Sequence, residues 1–223
     1  MKDDLKNKII AEVEAANFFS DLPTEIDGFK FQKIFSDSGD KFNYFSYENS
    51  AKHKSVTAYF HEETFEYKMR VKIGLNEFCL TKFFTSDFKI FQSLLREELE
   101  SVIKNLNDTN EKNSLIGAKN FGEWKYGQSL KKNIEGFELF ISPAHPTKYT
   151  NGSYIILNYS NFDIPADLVL YYNIYTDDFS GEFSLKGVPH VSYLFDAKNL
   201  DELAERLEKN LVAELQRLKN SGN

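Results

Sequence analysis

The sequence predicts an α+β protein made of two tandem repeats, each a mostly antiparallel sheet of about four or five strands closed by a C-terminal helix, with an extra N-terminal helix. Three observations carry this expectation: apolar positions that recur at a nearly constant offset, segments that alternate with period two, and an amphipathic helix at the end of each half. Ile26-Asp27-Gly28-Phe29 is echoed by Ile134-Glu135-Gly136-Phe137 at an offset of 108. Val56, Ala58 and Phe60 fall opposite Leu168, Leu170 and Tyr172, and Val71, Ile73 and Phe83 opposite Phe183, Leu185 and Phe195, all at an offset of 112. One insertion of about four residues reconciles the two offsets, and its natural place is the turn-like stretch 143–152.

The elements follow in order. Residues 3–19 carry a stripe at Leu5, Ile9, Val13 and Ala16 and are expected to form a helix that stops before Pro23. Phe29 and Phe31 alternate with Lys30 and Gln32, residues 36–40 read as a turn around Gly39, and strands are expected at 42–47 and 55–61. In 65–75 every odd position is apolar and the even ones are almost all charged, so one face packs and the other meets water. A short strand at 78–84 leads to Asp87, a cap for a helix whose stripe is Phe88, Phe91, Leu95, Leu99, Ile103 and Leu106.

Polar residues 107–120 read as the connection between repeats spanning 1–106 and 121–223. In the second repeat, strands are expected at 137–142, 153–160, 168–176, 182–186 and 191–195. The strands at 154–159 and 168–175 are apolar or aromatic on both faces, the pattern of strands covered twice. Asn199 with Glu202 makes a capping box for a closing helix striped by Leu200, Leu203, Leu207, Leu211, Leu215 and Leu218.

Composition narrows the function classes. With 41% hydrophobic residues, 21 Phe and 12 Tyr, the chain of 223 residues can bury a sizeable core. Its net charge of −7, with cations dispersed, argues against nucleic acid as a partner. No run approaches the roughly 20 apolar residues of a spanning helix, so no membrane is expected. The lone Cys79 and the lack of a signal-peptide pattern favour a cytoplasmic location.

Chemistry is harder to find. His61-Glu62-Glu63 superficially resembles a zinc helix motif, but the segment reads as strand and position 65 is Phe where a second His is needed. His53 lies in a Lys-flanked loop, and His145 and His190 read as loop residues beside prolines. Cys79 sits in an apolar strand pattern, the setting of an inert buried thiol. Asp177-Asp178 reads as part of a hairpin turn, and the scattered glycines form no phosphate loop, so no cofactor or metal is expected.

The expectation is therefore a non-catalytic binding module, with another protein as partner. Its contact surface would be the aromatic sheet face of the second repeat, carried by Tyr171, Tyr175 and Tyr159, or the groove between repeats. The alternative is an enzyme or small-ligand binder using His145 or His190 at the repeat junction. In outline the plan resembles the duplicated sheet-and-helix architecture of the TATA-binding protein class, or a tandem of single-sheet domains of the secretion-chaperone kind.

Overall fold

A computed structural model describes residues 3–15, 18–107, 119–150 and 152–222, so most of the expected connection at 107–120, and Ala16 of the first stripe, lie outside the described residues. The protein is α+β, and among the described residues it has two antiparallel sheets of six and seven strands and four helices. It divides into two compact units, one of Met1–Ile73 and Glu77–Asp108, the other of Gly74–Asn76 and Thr109–Asn223.

In the first unit, helix α1 (Asp3–Ala15) is shorter than expected, because a 3-10 turn at Phe18–Asp21 takes over before Pro23. A meander follows: β1 (Glu25–Ile26), β2 (Phe29–Ser38), β3 (Lys41–Asn49), β4 (Lys54–His61), β5 (Glu66–Ile73) and β6 (Asn76–Cys79), each paired with the next. Helix α2 (Phe88–Asn107) closes it, burying Phe88, Phe91, Leu95, Leu99, Ile103 and Leu106. Asp87 caps that helix by accepting the amide of Lys89 at 2.7 Å. The odd residues Tyr67, Met69, Val71 and Ile73 of β5 are buried, as alternation requires. The even face is less wet than expected: Lys68 is buried, pairs with Glu66 at 3.0 Å and lies over the Phe84 ring.

The second unit opens with the short helix α3 (Lys125–Gln128). Its strands are β7 (Asn133–Ile134), β8 (Phe137–Ile141), β9 (Thr147–Lys148), β10 (Ser153–Asn161), β11 (Ala166–Asn173), β12 (Asp178–Leu185) and β13 (Val188–Ala197). The sheet order is β13-β12-β11-β10-β8-β7, with β9 also on β10. Helix α4 (Leu200–Gly222) buries Leu203, Leu207, Leu211, Leu215 and Leu218 against Leu168, Leu170 and Tyr172 of β11 and Phe195 of β13. Each such leucine contributes about 1.5–3 kcal/mol by leaving water. Asn199 accepts the amide of Glu202 at 2.9 Å, and Glu202 in turn accepts that of Lys198.

The strand counts correct the expectation of four or five per sheet. The additional strands β1, β7 and β9 have two residues each, too few to display alternation. Turn chemistry produces two of them. Asp27 and Gly28 have φ of 51° and 82°, and Glu135 and Gly136 have 56° and 90°, the left-handed pairs that a two-residue hairpin demands. Residues 36–38, expected as turn, instead extend β2, because a register shift between Lys33 and Ser36 lets the strand resume pairing. Residues 80–84 leave the strand for a 3-10 turn at Thr81–Phe83.

Several details recur at the offsets read from the sequence. The Tyr47 hydroxyl donates to the Pro23 carbonyl and the Tyr159 hydroxyl to that of Lys131, each at 2.6 Å. The amide of Phe31 reaches the Thr24 carbonyl, and that of Leu139 the Lys132 carbonyl, both at 2.9 Å. After β5 and along β13 the chain arches away from its neighbour and returns, at Tyr67 opposite Thr85 and at Phe179 opposite Ala197. The arches drive Phe83 and Phe195 fully into their respective cores.

Candidate functional site

The three tyrosines expected to form one surface have different fates. Tyr159 is fully buried in the core under α4, because the register shift between Ile155 and Leu157 turns it toward the helix, and its hydroxyl is spent on Lys131. Tyr171 is half-buried, its ring 5.3 Å from that of Tyr149. Burial first, then Glu182, Tyr149 and Asp167, hold its hydroxyl well above the ordinary phenol range. Tyr175 is 76% exposed at the turn after β11, its amide donated to Asn173 Oδ1 at 2.9 Å. Its ring lies so close over Gly152 that a Cβ there would come within 2.2 Å of it.

The face of β11 opposite the helix is itself closed at its centre. Val169 and Asp167 are buried, as are Ile155, Asn158 and Ser160 on β10. Asp167 accepts the Ser184 amide at 3.1 Å, yet burial holds its carboxyl above the usual range despite that bond. The Glu182 carboxyl on β12 is likewise raised, first by burial and then by Asp167.

The open apolar surface lies at the margin, on β13. This edge strand exposes Val188 at 54%, Val191 at 61%, Tyr193 at 77% and Leu194 at 43%. Register places Val191 opposite Glu182, which pairs with Val169, and sets the arch 193–196 beside Ser180, the partner of Tyr171. Tyr193 and Tyr171 thus belong to one end of the sheet. Pro189 removes a main-chain donor from the first part of this edge, and the exposed residues 191–194 lie beyond it. Sequence reasoning missed this strip, although the last strand of a meander is an edge by construction and residues 188–195 carry no acid, Lys or Arg.

The remaining candidates are dispersed. His190 lies on β13, not in a loop, and stacks on Phe183 with centroids 4.9 Å apart. His145 is exposed in the segment between β8 and β9, at the other end of the sheet. His53 is exposed at φ 50° after a 3-10 turn. Cys79 is half-buried, with the Tyr59 hydroxyl 3.1 Å from its sulfur. Asp177 precedes β12 at φ 54°, paired with Lys119 and accepting the Tyr172 hydroxyl at 2.7 Å, and both contacts hold its carboxyl below the usual range. His61, by contrast, meets an acid: its Nε2 lies 2.7 Å from Asp40 Oδ2. No helix among the described residues is long and apolar enough to cross a membrane. The chain matches no protein-family model, no curated protein and no solved structure.

Proposed function

We propose that the chain is a protein-interaction module that holds an extended segment of a partner protein against the margin of its second sheet. The observation that carries the reading is the edge strand β13, free of acid, Lys and Arg over residues 188–195, with Val188, Val191, Tyr193 and Leu194 exposed along it. Edges of this kind are ordinarily blunted by charge, because unpaired main-chain groups beside apolar side chains invite another strand. The partner segment carries apolar residues to cover Val191 and Tyr193 and a basic residue to face Glu182, whose carboxyl burial and Asp167 hold above the usual range. Tyr171 and Tyr175 flank the same end of the sheet and widen the contact.

In this reading the two units are diverged copies of one sheet-plus-helix repeat, spanning 1–106 and 121–223, and binding was acquired by the second. The recurring tyrosine bonds, hairpins and arches support it.

The test is selection of a random displayed peptide library on the intact protein, beside Val191→Thr/Tyr193→Ser. Both residues are exposed, so the variant's stability stays within about 0.5 kcal/mol of the parent. The expected result is enrichment of peptides that alternate apolar residues and carry Lys or Arg, lost in the variant. Equal enrichment on both proteins overturns the proposal, as does unfolding of the variant, which would make these residues structural.

A further inference from the structure

A second feature, in the first unit, has the chemistry of a ligand set. Asp40 ends the turn between β2 and β3, His61 is the last residue of β4, and Glu63 lies in the turn between β4 and β5. One ligand atom from each of the three lies within 4.8 Å of the others. The backbone fixes this juxtaposition: Lys41 pairs with His61 in the β3–β4 ladder, and the Asp40 carbonyl accepts the Glu62 amide at 2.8 Å. The two turns are therefore held together by main chain, whatever the side chains do.

The imidazole is oriented for binding. Its Nδ1 lies 2.9 Å from Thr64 Oγ1. Nε2 is the atom turned to Asp40, at 2.7 Å from a carboxylate oxygen. A carboxylate only accepts, so either a proton or a cation must lie between them. Tyr59 stands edge-on to the imidazole, at 89°, and limits its rotation.

We propose that Asp40, His61 and Glu63 bind a first-row transition-metal dication, which takes the place of the Nε2 proton. One imidazole nitrogen with two carboxylate oxygens suits such an ion better than calcium or magnesium, which favour all-oxygen shells. Three protein ligands leave positions open to water, and the Thr64 hydroxyl on His61 Nδ1 is the outer-shell support that ligating histidines have. The ion clips two neighbouring turns at one end of the sheet. Sequence spacing hides the set, because Asp40 comes from a different hairpin.

The test is titration of the intact metal-free protein with Co2+ and Zn2+, by calorimetry and by the visible absorption of cobalt. One equivalent is expected to bind. His61→Gln and the exposed-site variant Glu63→Gln each weaken it by at least about tenfold, and Thr64→Val, which leaves every ligand in place, weakens it by about 10–100-fold. Ala at His145 and His190 leaves it unchanged. Absence of binding overturns the proposal. So does binding that survives Glu63→Gln and Thr64→Val, or that falls when His145 or His190 is removed.

Discussion

The same corner is built twice and furnished differently. In the first unit the Asp40 carbonyl accepts the Glu62 amide at 2.8 Å; in the second the Gly152 carbonyl accepts the Ile174 amide at 2.9 Å, 112 positions on. Around the first clamp stand Asp40, His61 and Glu63, and around the second Gly152, Asn173 and Tyr175 at the same offset. The edge strands differ likewise: Glu77 on β6 pairs with Arg70, while the stretch of β13 at the same offset, residues 188–191, exposes Val188 and Val191. The main-chain bond is alike in both corners because turns and ladders fix it. Side chains pointing to solvent are under no such constraint, so the two units differ in chemistry at corners and edges.

The largest effect tests whether the shared framework is equally demanding in both units. Phe83 and Phe195 fill matching arches and are fully buried. Truncating either to Ala leaves a cavity costing about 3–5 kcal/mol. Equal losses in urea unfolding are expected. A loss in only one unit would break the equivalence and make one arch ornamental.

That framework was the legible part of the sequence. Leucine and phenylalanine stripes at helical spacing located α2 and α4, because periodicity is a local property, whereas Ile-Asp-Gly-Phe and Ile-Glu-Gly-Phe were visible only as an echo until the structure showed a left-handed hairpin at each. The candidate sites were illegible for a different reason. Tyr159 could not be told from Tyr171 until the register shift between Ile155 and Leu157 sent one to the core. Asp40 could not be placed beside His61 until Lys41 paired with it. Both facts belong to strand pairing, which connects residues distant in sequence.

A smaller effect comes from exchanging the corners. At Gly152 a side chain meets only the Tyr175 ring, which is exposed and free to swing aside, so Gly152→Asp alone is expected to lose no more than about 1 kcal/mol. Adding Tyr175→Glu removes the ring and should restore most of the loss. The triple variant with Asn173→His then reproduces the ligand types of the first unit on the same clamp and is expected to gain Co2+ binding. A triple variant as stable as the double but blind to cobalt would show that the clamp and the three ligand types do not position a site by themselves, even with Tyr171 and Thr176 standing where the first unit has Tyr59 and Thr64.

The smallest effect concerns the buried carboxylate that the second unit places where the first has Ser55. Burial raises the Asp167 carboxyl above its unfolded value, so the folded chain holds this proton more tightly than the unfolded one. As pH rises from the unfolded value through the raised one, the unfolded chain ionises first, and stability falls to a lower plateau that persists at neutrality. Asp167→Asn keeps an oxygen for the Ser184 amide and removes the charge. It also relieves Glu182, which Asp167 pushes upward. The variant is therefore expected to unfold at higher urea than the parent at neutral pH, with the difference vanishing below the ordinary carboxylate range. A variant less stable at neutral pH would mean that the carboxylate has a cation partner in solution, and that the face of the second sheet resembles the paired, salt-bridged face of the first more closely than its side chains suggest.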